Sequence, residues 1–101
     1  MVVAKKVPFP VRRASSDIGT QLALWRRMQN LTAQQVAERA DISRDTLRRL
    51  ERGDPGVTMA SFLGVLRALG TLDRAVDALD PMQTDVGRVR AAESIPKRVR
   101  H

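Results

Sequence analysis

From Ile18 onward the apolar residues fall at three- and four-residue intervals in five successive stretches, each bounded by a capping residue or a breaker. That spacing puts one apolar face on each of five short helices. In the first, Ile18, Leu22 and Trp25 share a face, Asp17 stands at the N-cap position and Gln29-Asn30 closes the run. In the second, Thr32 caps Ala33 to Ala40, and Gln35 three residues on completes a capping-box pattern over Val36, Ala37 and Ala40. Ser43 caps the third, Arg44 to Arg52, which turns Leu47 and Leu50 inward and stops at Gly53. Thr58 caps the fourth, Met59 to Leu69, with Met59, Phe62, Leu66 and Leu69 inside and Gly70 as its end. The fifth, Leu72 to Leu79, carries Leu72, Val76 and Leu79 before Pro81 forbids continuation. The pattern predicts an all-α, compact five-helix domain.

Only Asp41, Ile42 and Ser43 separate the second helix from the third, so the two cannot be collinear. Asp41 stands where the chain must turn sharply, and Asp tolerates the left-handed backbone region better than most residues. A crossed pair results, sharing one seam of Val36, Ala37 and Ala40 against Ile42, Leu47 and Leu50. That is helix-turn-helix geometry.

The two flanks read differently. Pro8 and Pro10 disfavour helix at the residues before them and predict an extended arm over residues 1–16. Beyond the helical body of residues 17–80, the tail of residues 81–101 alternates in "VGRVR" and ends "IPKRVRH". It reads as a short edge strand or as a segment that orders on a partner. Charge follows the same division. The chain of 101 residues has a net charge of +7, of which residues 1–16 carry +4, residues 17–80 none and residues 81–101 +3. Basic arms beside a neutral body suit a polyanionic partner, although solvated tails also keep a small protein soluble.

Composition then removes several classes of function. There is no cysteine, which excludes a disulfide framework, a thiol nucleophile and a thiolate metal site. The single histidine, His101, is the last residue and has no second imidazole to share a metal or a proton. Asp73 and Asp77, an i, i+4 carboxylate pair, read as solvated charges on an exposed helix face. We therefore expect neither an enzyme nor a cofactor or metal. No apolar run has the length of a membrane helix, and the first ten residues lack the apolar stretch of a secretory signal, so a cytoplasmic, nucleoid-associated protein is expected.

The chemistry lies on the third helix. With Leu47 and Leu50 inside, Arg44, Asp45, Arg48 and Arg49 project from the outer face within one or two turns of each other. A helix fits the major groove of B-DNA, where arginine donates twice to O6 and N7 of guanine and a carboxylate accepts from cytosine. An ordinary solvated face, with Asp45 paired to Arg48 or Arg49, is the alternative. At the start of the second helix, backbone N–H groups with Thr32, Gln34 and Gln35 offer a seat for a phosphate. Ser43, Thr46 and Arg52 complete the expected phosphate contacts.

The span "IGTQLALWRRMQNLTAQQVAERADISRDTLRRLERG", followed by "VTMASFLGVLRALG", resembles the XRE (Cro and phage-repressor type) helix-turn-helix family from Ile18 to Gly70. The resemblance implies that Ser43, Arg44, Asp45, Arg48 and Arg49 face double-stranded DNA and that Arg26 and Glu51 form a structural ion pair. Three features depart from the family pattern: Ala33 replaces the usual glutamine, Asp41 the usual turn glycine, and "GDPG" brings an acid near where the family often places basic phosphate contacts. "ERGDPGVTMASFLGVLRALG", "LDRAVDAL" and "IPKRVR" are further similar to the HipB-like antitoxins of HipA-kinase toxin–antitoxin pairs. That implies a homodimer that represses its own operon and binds a HipA-like kinase toxin. A regulator of this size needs a two-fold dimer on a palindromic operator to reach useful specificity. The dimer surface is either Leu72, Val76 and Leu79 or the tails exchanging strands, the alternative for those three being padding for the monomer's core. A phage-type or housekeeping regulator without a toxin, and a protein-interaction module acting through its basic tails, are the competing readings.

Overall fold

The computed structural model describes residues 6–94, which form six α-helices and one 3-10 turn, with no strand among the described residues. The helices are α1 (Phe9–Met28), α2 (Ala33–Ala40), α3 (Arg44–Glu51), α4 (Met59–Leu69), α5 (Leu72–Leu79) and α6 (Asp85–Ser94), the 3-10 turn being Pro81–Gln83. The chain divides into two compact units, one ending at Gly70 and the other beginning at Thr71.

The first unit holds the core. Leu22 and Ala23 of α1, Val36 and Ala37 of α2, Leu47 and Leu50 of α3, and Val65, Leu66 and Leu69 of α4 are buried together. Each large aliphatic side chain so placed contributes about 1.5–3 kcal/mol. Among the described residues no polar or charged side chain is buried, so the centre of the core is apolar throughout. α1 comes unusually close to the end of α3: a Cβ placed on Gly19 would stand 2.6 Å from the carbonyl oxygens of both Leu50 and Glu51. Only glycine permits that approach.

The predicted inner faces need adjustment. Ile18 is 38% exposed, and the buried face of α1 passes instead through Gly19, Leu22 and Ala23. On α4, Met59 lies 73% exposed at the first turn while Val65 is fully buried. Both shifts arise because small residues let the neighbouring helix in on a flank that a count of large side chains assigns to solvent.

The prolines begin a helix rather than prevent one. α1 starts at Phe9 with Pro8 at its N-cap and Pro10 in its first turn, where backbone N–H groups have no helical acceptor to lose. Asp17 therefore sits inside α1 and not at its start, and the extended arm expected through Ser16 is helical from Phe9 on. The expected strand over "VGRVR" is likewise replaced by α6. Thr84 decides it locally, since its hydroxyl accepts from the Gly87 N–H at 2.9 Å and its carbonyl from Arg88 N–H at 3.0 Å. "IPKRVRH" lies outside the described residues. In this second unit α5 contains no buried residue; Val76 is 57% and Leu79 85% exposed, and Leu72 is half-buried.

Candidate nucleic-acid interface

α2 is built by its cap. Thr32 Oγ1 accepts from Gln35 N–H at 3.0 Å while Gln35 Oε1 accepts from Thr32 N–H at 2.8 Å, a reciprocal pair that satisfies two otherwise orphaned donors. Gln34 donates from Nε2 to Glu38 at 2.7 Å along the outer edge of the helix. At the other end Asp41 takes φ 56° and ψ 46°, the left-handed conformation that turns the chain sharply into Ile42 and Ser43. Ser43 then caps α3, accepting from Thr46 N–H at 3.0 Å and donating to Thr46 Oγ1 at 2.9 Å. Thr32, Gln35, Ser43 and Thr46 thus each hold a helix start, which leaves further lone pairs on these oxygens for a ligand.

α3 buries Leu47 and Leu50, and Arg44, Asp45, Arg48, Arg49 and Arg52 are exposed around the remaining arc. An open groove of about 650 Å³ runs beside them, floored by Ala23, Ala33 and Leu47 and walled by Arg44, Arg48 and Arg52. Small Ala33 leaves that space unfilled. The arginines differ in their company. Arg48 donates to Asp45 at 3.1 Å, an exposed i, i+3 pair. Arg49 donates from Nε to Asp54 at 2.7 Å, away from Asp45 and towards the turn that follows α3. Arg44 and Arg52 have no ion-pair partner among the described residues.

A third ion pair fixes the scaffold. Arg26 on α1 makes a two-pronged contact to Glu51 at the end of α3, Nε to Oε2 at 2.8 Å and Nη2 to Oε1 at 3.1 Å. Its Nη1 donates to the Leu31 carbonyl at 3.3 Å, which ties in the loop before α2. The hydrogen bond to the Glu51 carboxylate raises the Arg26 guanidinium above its ordinary value, against the opposing effect of burial. α1, the loop and α3 are held as one frame.

The sequence marks Asp54 only as the acid of "GDPG" near expected phosphate contacts; its pairing with Arg49 is visible in the structure alone. Its Oδ1 accepts from Gly56 N–H at 2.7 Å while Oδ2 takes Arg49, and these bonds hold its carboxyl below the usual carboxylate range, the Gly56 N–H first. The signal was present in "DPG", in which an aspartate accepts from the backbone two residues on.

Two helices crossing through a left-handed turn, with the second presenting a polar outer face, define a helix-turn-helix protein. The chain belongs to the helix-turn-helix domain family, whose model it matches over residues 17–79. No curated protein and no solved structure matches it. Membership is consistent with the XRE-type resemblance and supports DNA binding and regulation as the activity. Among the described residues no helix is long and apolar enough to cross a membrane.

Proposed function

We propose that the protein is a sequence-specific transcriptional repressor that binds double-stranded DNA as a homodimer on a palindromic operator. The observation carrying this reading is the outer face of α3, where Arg44, Asp45 and Arg48 stand exposed beside a capped α2 N-terminus. α3 enters the major groove; Arg44 and Arg48 donate to guanine edges, and Asp45 exchanges its Arg48 partner for a cytosine amino group. Thr32, Gln34, Gln35, Ser43, Thr46 and Arg52 meet the phosphates on either side and set the register. The exposed stripe of Val76 and Leu79, with Leu72, supports a dimer face on α5.

Replacement of Arg48 by Ala tests the reading. Binding to a duplex selected by the wild-type protein from a random library is expected to weaken by ~1–3 kcal/mol, with relaxed base choice at one position. If only removal of the basic termini weakened binding, the molecule would be an interaction module using its tails. The narrower reading, an antitoxin repressing its own operon and binding a HipA-like kinase, is supported by the resemblance of "ERGDPGVTMASFLGVLRALG", "LDRAVDAL" and "IPKRVR" to that branch. A HipA-like gene adjoining its own, and co-purification of the two products, would test it.

A further inference from the structure

Three outward arginines on one short helix and a fourth, Arg52, at its C-cap would bind any phosphate backbone, which works against sequence discrimination. Arg49 is distinguished from the other three by where its charge is spent. Its acceptor, Asp54, lies outside α3, in a turn that is itself rigidly built. Asp54 N–H donates to the Arg49 carbonyl at 3.0 Å, Pro55 follows, and Gly56 N–H returns to Asp54 Oδ1 at 2.7 Å. One carboxylate oxygen is therefore fixed by the backbone before the other meets Arg49 Nε at 2.7 Å. The guanidinium lies along this turn: a Cβ built on Gly56 would stand 3.8 Å from Arg49 Nη2. By contrast, the Arg48–Asp45 pair is formed within α3 by two side chains that are 61% and 69% exposed, against 46% and 36% for Arg49 and Asp54, and neither of its partners is fixed by a turn.

From this geometry we infer that Asp54 is a specificity-determining positioning residue: it withholds Arg49 from the DNA, so that discrimination falls on Arg44, Asp45 and Arg48. The inference rests on the DNA-binding reading above and deepens it. Arg49 would otherwise add one phosphate contact that is blind to sequence. An acid fixed at the end of the recognition helix removes that contact.

Asp54→Asn is the discriminating variant, because the carboxamide keeps an acceptor for Gly56 N–H while losing the charge that holds Arg49. In the free protein, the Arg49 Nε–H resonance seen by NMR in the wild type is expected to lose its protection from exchange in D54N. Its persistence would overturn the latch without any reference to DNA. On a random-sequence duplex, D54N is expected to bind more tightly than the wild type, with the salt slope steeper by about 0.9. Its preference for the selected duplex over the random one is expected to fall accordingly. The double variant Asp54→Asn with Arg49→Ala is expected to return to the wild-type slope. If D54N kept its steeper slope without Arg49, Asp54 would be acting as a local charge and the inference would fail. Equally, if Arg49→Ala alone reduced selective binding as much as Arg48→Ala, Arg49 would be a base reader and the inference would be wrong. Failure of the underlying reading looks different: no sequence is then selected, and Arg48→Ala has no effect.

Discussion

At the scale of single residues, the arginines of this protein do three different jobs, and the partner decides which. Arg26 is only 17% exposed and Glu51 15%, so their two-pronged contact is shielded where the Arg48–Asp45 pair is open to water. Shielded charge-assisted bonds stabilise, whereas exposed pairs contribute little. Glu51→Gln is accordingly expected to lower unfolding free energy by ~2 kcal/mol in urea titrations, with the Asp45→Asn change near zero. Asp54 adds a pH dependence. Its carboxyl is depressed in the folded state, so the stabilisation it brings is complete above the ordinary aspartate range and is lost as pH falls through the lowered value. The Arg49 contact is thus intact at neutral pH.

At the scale of elements, two backbone positions control how helices meet, and they respond to substitution in opposite directions. Gly19→Ala places a methyl group 2.6 Å from two carbonyl oxygens at the end of α3, atoms that cannot rotate away. Alanine's helix preference of ~1 kcal/mol is outweighed, and thermal unfolding should show a net loss of ~1–2 kcal/mol. Asp41→Gly relieves a left-handed residue at φ 56° and should raise stability by about 1 kcal/mol. A gain from the first change or a loss from the second would mean that another contact governs these crossings. The same positions show what could be read from sequence. Caps at Thr32, Ser43 and Thr58 and stops at Gly53 and Gly70 are local chemistry, and α2, α3 and α4 begin where their caps place them. What depends on a distant neighbour was not legible: the inward turn of Gly19, the burial of Val65 and the exposure of Met59. The flanks depart from the expected arm and strand for a local reason: Pro8 and Pro10 open a helix instead of breaking one, and Thr84 caps α6.

At the scale of the whole molecule, charge and apolar surface are both left over after folding. The body of residues 17–80 balances nine basic against nine acidic side chains, which leaves attraction to DNA at long range to the flanks. Part of that flank is rigid. Arg12 and Arg13 ride on the first turns of α1, and Arg12 stacks over the Phe9 ring at 5.9 Å from its centroid. A helix-borne cation is preorganised, so one that meets a phosphate gives a defined counterion release. Arg12→Gln with Arg13→Gln should flatten the slope of log affinity against log salt by about 0.9 for each phosphate no longer neutralised, while base preference stays as in the wild type. The apolar remainder makes a separate demand. Val76 and Leu79 stand in water on a helix with no buried residue, and an eight-residue helix does not persist on propensity alone. If a second copy covers them, Val76→Asp should yield monomers in sedimentation at concentrations where the wild type is dimeric. DNA binding would then weaken because only one half-site is held, with the salt slope roughly halved. A V76D protein that remained dimeric would place the two-fold contact elsewhere than on α5.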